Sequence, residues 1–184
     1  MGKKVLVIVI ILGLCVVGFY SYKKGADVLY GDFNSNKKAE AQRLYNDVMS
    51  LQDNTNYPKT PEEVIQFYNK GYKLIYGDMV NNDDIILDIL HQQRKLFTDE
   101  LLNTTTLEQQ KETLDSALEL LEDNKYYVIA LEAKPAIYDK GNSDYCYVRV
   151  IIMGNDFSES TYHYYLEKDN NDLWKIQGWK AIQE

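Results

Sequence analysis

Apolar residues follow three regimes along this chain. From Val5 to Tyr20 they are continuous (VLVIVIILGLCVVGFY), from Lys37 to Asp123 they recur every three or four residues, and from Lys125 onward they alternate with polar ones. The continuous run, flanked by Lys3 and Lys4 and by Lys23 and Lys24, predicts a membrane-spanning helix. As a helix, Val5 to Tyr22 extends about 27 Å, close to the roughly 30 Å of a bilayer's hydrocarbon core, and the flanking lysines reach the interfaces. A cleaved secretory signal is the rival reading, but Phe19, Tyr20, Ser21 and Tyr22 offer no small-x-small cleavage site. A lipoprotein signal at Cys15 is disfavoured by Leu14, and myristoylation at Gly2 by Leu6. Lys3, Lys4 and the terminal amine outweigh Lys23 and Lys24 slightly, which places the amino end in the cytosol and the remainder outside.

Residues 25 to 59 read as a stalk, partly helical, with Ala41, Leu44, Val48 and Leu51 at helical spacing. A compact domain is expected over 60 to 184. Thr60-Pro61-Glu62-Glu63 is a helix start, with Thr60 as cap, Pro61 at the first helical position and Glu63 completing a capping box. Val64, Phe67, Tyr68, Tyr72 and Ile75 share one face of that helix, and Gly77 suits a left-handed end. A second helix is expected from about Asp83 to Phe97. A third follows Thr106, which Gln109 helps to cap, and runs to about Asp123.

Period-two alternation then predicts four strands, Lys125–Lys134, Asp144–Met153, Ser158–Lys168 and Asp172–Ile182. Short connectors rich in Asp, Asn and Gly make them an antiparallel meander. The expected fold class is therefore α+β: an N-terminal transmembrane helix, then three helices packed on a curved four-stranded antiparallel sheet.

Charge narrows the partners. Residues 25 to 184 hold 16 of the 20 basic and all 28 acidic side chains, a net charge of −12, which repels nucleic-acid backbones and anionic lipid heads. Cys15 lies in the membrane segment and Cys146 in a strand, so no disulfide joins them and Cys146 reads as a buried thiol.

The TPEEV helix start with its Phe67-Tyr68 pair, the closing Leu173-Trp174-Lys175-Ile176-Gln177-Gly178-Trp179, and the order of elements resemble the nuclear transport factor 2-like superfamily, the cystatin-like α+β cone. Tyr57 to Val64 is similar to the same stretch in small membrane-anchored bacterial proteins of that superfamily. The superfamily includes enzymes, ligand binders and scaffolds, so the resemblance implies a fold and not an activity. Its isomerase and dehydratase members keep an acid or base inside the cone. Tyr72, Tyr76, His91 and Tyr127 are the residues that such a pocket would draw on here. None has a partner at readable spacing, and aromatic core filling explains the tyrosines as well.

Two histidines supply little material for a metal site, and the Asn81-Asn82-Asp83-Asp84 cluster lacks the spaced ligands of a calcium loop; helix capping explains it. No catalytic residue, metal or cofactor is assigned. Tyrosine, with 16 copies, is the unusual component. Strand phase turns Cys146, Val148, Val150, Ile152, Tyr162, Tyr164, Leu166, Trp174 and Ile176 toward the helices. The opposite face then carries Tyr145, Tyr147, Arg149, Ile151, Tyr165 and Trp179, unless a bulge near Gly178 reverses the tryptophan. Exposed aromatics beside an arginine suit a contact with a protein partner or a second copy, although cross-strand aromatic pairing also stabilises a sheet by up to about 1 kcal/mol per pair.

Overall fold

The computed structural model describes residues 34–51 and 56–182. The membrane segment expected at 5–22 and the start of the stalk lie outside the described residues. No described helix is long and apolar enough to cross a membrane.

Among the described residues five helices precede an antiparallel sheet, giving the α+β class: α1 Asn34–Met49, α2 Pro61–Tyr76, α3 Asp83–Arg94, α4 Asp99–Thr104 and α5 Leu107–Asp123. α2 starts as its sequence dictates. The Thr60 hydroxyl accepts from the Glu63 amide at 3.2 Å while Glu63 Oε2 accepts from the Thr60 amide at 3.3 Å, a capping box of the kind worth about 1 kcal/mol. At its other end the expectation shifts by one residue. Gly77 has φ −87°, and the left-handed position belongs to Asp78 at φ 53°, with the Met79 amide donating to Leu74 in a Schellman closure.

The segment expected as a stalk is corrected where it is described. α1 lies along α2 with Leu44 and Val48 buried against Leu74, Ile75, Ile86 and Ile89, and with Lys70 paired to Asp47 and Lys73 to Glu40. Burial holds it there, since half-exposed ion pairs contribute little. α3 and α2 approach closely at Gly71, and buried Gln93 donates to the Tyr68 carbonyl at 2.9 Å.

α3 stops at Arg94 rather than Phe97. Leu96–Thr98 instead runs beside the last strand: the Ile176 amide donates to Leu96 at 2.7 Å, and the Thr98 amide donates to Ile176 at 3.0 Å. Those bonds satisfy part of an otherwise open sheet edge, and Thr98 then caps α4, a helix the periodicity did not reveal.

The strands are β1 Val128–Ala133, β2 Ile137–Tyr138, β3 Tyr145–Gly154, β4 Glu159–Lys168 and β5 Trp174–Ile182. They pair in the order β1-β3-β4-β5, with two-residue β2 beside the first residues of β3. Val148, Val150, Tyr164, Leu166 and Ile176 meet Val64, Ile65 and Tyr68 of α2 in the main core. One irregularity matters for function. Leu166 faces Ile176 but Tyr165 faces Gly178, so Gln177 is an extra residue in β5 and everything after it changes side.

Candidate functional site

Register arranges the outer sheet face in rows. Asp139, Tyr145, Glu167 and Lys175 lie across from one another, then Ile137, Tyr147, Tyr165 and Gly178, then Arg149, His163 and Lys180, then Glu132, Ile151, Thr161 and Ile182. Tyr147 links two rows, its ring 4.4 Å from the His163 imidazole and 6.2 Å from Tyr165. Five of the six expected contact residues, Tyr145, Tyr147, Arg149, Ile151 and Tyr165, thus share this face.

Trp179 does not. The bulge at Gln177 turns it to the helix side, where it is half-buried with its ring 5.7 Å from Tyr164 and 6.1 Å from both Tyr68 and Phe97. Uninterrupted alternation would have kept it outside.

A cleft of about 480 Å³ opens where β2 meets β3 and β4, lined by Ile137, Tyr138, Tyr145, Tyr147, Tyr165 and Gln177 among others. Ile137 is 53 % exposed, Tyr138 48 % and Tyr145 42 %, so three of the four large apolar side chains exposed among the described residues border this one cleft. The sequence reading missed Ile137 and Tyr138, because two residues between Pro135 and the Asp139–Asn142 turn show no periodicity. Asp139 accepts from the Gly141 amide at 2.6 Å and fixes that turn.

The electrostatics are uneven across the rows. Glu167 beside the Tyr145 hydroxyl, by charge and by hydrogen bond, raises that phenol's pKa, with burial and Asp144 adding to it. Burial and then Glu62 raise Tyr138. In the basic row the sign reverses, and His163 is lowered by partial burial and then by Arg149. Cys146, beneath the cleft, is pushed up to about 12 by burial and by Glu62, so it is a protonated thiol at neutral pH and no nucleophile.

Two of the four residues proposed for an internal pocket, Tyr72 and Tyr76, come together. Tyr72 and Tyr76 stack on each other at 4.2 Å and line a void of about 20 Å³ with Tyr68, Gln93 and Gln110, room for about one water. His91 is exposed on α3, and Tyr127 lies under the Lys37 ammonium at 5.4 Å. Among the described residues no three His, Cys, Asp or Glu side chains converge as a metal site.

A comparison with curated proteins finds no match. Residues 1–179 match a family described as "Domain of unknown function (DUF6715)". That span takes in all but the last few residues, and the chain belongs to this family.

Proposed function

We propose that this protein is a non-catalytic binding or assembly module that docks a protein partner, or a second copy of itself, through the outer face of its sheet. The observation that carries the reading is the row of Ile137, Tyr147 and Tyr165, flanked by Tyr145, Arg149 and Ile151, on a face that no described helix covers. Rigid aromatics with an adjacent arginine concentrate binding energy at protein contacts. Residues 5–22 tether the domain to a membrane and place it outside the cytosol, which their unbroken apolarity and flanking lysines support. Helices that precede an antiparallel sheet also suit kinship with the nuclear transport factor 2-like superfamily. An isomerase-like site inside the cone has no support from the void beside Tyr72 and Tyr76, which is too small for a substrate.

The test is to replace Tyr147 and Tyr165 together with alanine in the full-length protein and to measure self-association by sedimentation and partner capture by proximity labelling. Truncating aromatic hot spots costs about 2 kcal/mol or more, roughly thirtyfold in affinity. Unchanged association and labelling, with folding intact, would end the reading. Protease added to intact spheroplasts checks the topology, since it should reach the carboxyl end.

A further inference from the structure

We propose that the tyrosine cleft on the outer face binds an organic ammonium ion, carried either by a small molecule or by a lysine side chain of a partner. The inference rests on the outer-face reading and names the chemistry that this face selects.

Three observations converge on it. The cleft is walled on the outer face by Tyr145, Tyr147 and Tyr165, and aromatic walls attract cations through the negative faces of their rings. The row that closes one end sets Tyr145 between Asp139 and Glu167, and Glu167, by charge and hydrogen bond, raises the Tyr145 phenol at that end. Beyond the Tyr147 and Tyr165 row the sheet turns positive at Arg149 and Lys180, so a cation is held to the tyrosine end and repelled from the middle of the sheet.

Three lysines lie nearby. Lys140 is exposed at the rim of the cleft, the Lys168 ammonium is engaged elsewhere, 3.6 Å from Asp144, 3.8 Å from Asp172 and 5.5 Å from the Trp174 ring, and Lys175, across from Glu167, turns its ammonium away to donate to the Lys95 carbonyl at 2.8 Å, 4.4 Å from the Tyr57 ring. A neutral ligand of similar shape would draw nothing from the carboxylates, and an anion would be repelled by them.

The experiment titrates the full-length protein with choline, tetramethylammonium, N-acetyl-lysine amide and dimethylbutanol, the last a choline analogue with carbon in place of the charged nitrogen. Binding is read by saturation-transfer resonance and calorimetry. The ammonium probes should bind saturably, with dimethylbutanol about tenfold weaker or worse, and Tyr147→Ala and Tyr165→Ala should each lower affinity about tenfold. Glu167→Gln should weaken the ammonium probes and flatten their salt dependence while leaving dimethylbutanol unchanged. Preference for choline assigns a free small molecule, and preference for the lysine amide assigns a partner side chain; either supports the proposal.

Equal binding of dimethylbutanol overturns it, as does failure of every ammonium probe to saturate the folded wild-type protein. Should an alanine variant unfold, Glu167→Gln alone decides. If the probes fail while the double alanine variant still weakens association, the ligand class falls and outer-face docking stands. If the probes bind while association is unchanged, docking falls and the ammonium site stands.

Discussion

The indole of Trp179 lies 5.7 Å from the phenol ring of Tyr164, their planes 29° apart, on the helix side of the sheet. It reaches that side only because Gln177 is an extra residue in β5, and the result is a cluster in which Tyr68, Phe97 and Tyr164 each pack against it. Replacing Trp179 with alanine should destabilise the domain by about 2–3 kcal/mol, less than the 3–5 of a fully buried aromatic because the indole is half-buried. Lys180→Ala, next along the strand but on the outer face, should stay within about 0.5 kcal/mol of wild type. Urea midpoints of the two variants check this, and equal midpoints would contradict the bulge.

Gly71 is where α2 and α3 come closest. A Cβ there would sit 2.8 Å from Gln93 Nε2 and 2.9 Å from Ile89 Cγ2. Alanine is the better helix former by about 1 kcal/mol, but overpacking a close contact costs about 1–3. Gly71→Ala should therefore lower stability by a net ~1 kcal/mol, seen as a lower Tm, and a stabilised variant would show that the helices separate without penalty.

Phe157 closes the β3–β4 hairpin in a left-handed conformation, φ 62°, with its side chain 69 % exposed. Its amide donates to Gly154 at 3.0 Å, which makes a three-residue hairpin loop with phenylalanine at the position that usually carries glycine. Relief of the left-handed strain is worth about 1–2 kcal/mol and glycine's extra chain entropy costs roughly 0.5–1, so Phe157→Gly should raise stability by about 0.5–1 kcal/mol. A drop in the denaturant midpoint would mean that the ring packs on something when the protein is intact.

His163 carries the pH dependence of the outer face. Partial burial and then Arg149 hold its folded pKa below the unfolded value of about 6.5. The unfolded chain therefore binds the proton more readily, and folding favours the neutral imidazole. Its contribution is fully present above about pH 6.5 and is lost as the pH falls through that value toward the lower folded pKa. Between pH 7 and pH 5 wild type should lose more stability than His163→Gln, and parallel stability curves for the two would refute the assignment.

Much of the architecture was legible locally. Thr60 and Glu63, and Thr106 and Gln109, form capping boxes because two side chains three residues apart satisfy each other's backbone, which involves no distant partner. The faces of β3 and β4 follow from alternation, so Tyr145, Tyr147, Arg149, Ile151 and Tyr165 could be grouped from sequence alone. Tyr72, Tyr76, His91 and Tyr127 could not be tested that way, because a cavity is the space left after helices and sheet pack.

The residue order determined where α2 and α5 begin, which side of each long strand is apolar, and the negative charge of the part after the apolar run, all properties of neighbours within a few positions. Only the tertiary structure decided that Gln177 is the extra residue of β5, that α1 lies on α2, that Leu96–Thr98 covers a sheet edge, and that Ile137 and Tyr138 complete the tyrosine cleft. Each of these depends on which distant backbone groups remain to be paired and which apolar surface remains to be covered once the long elements have met, and short-range pattern carries no record of either.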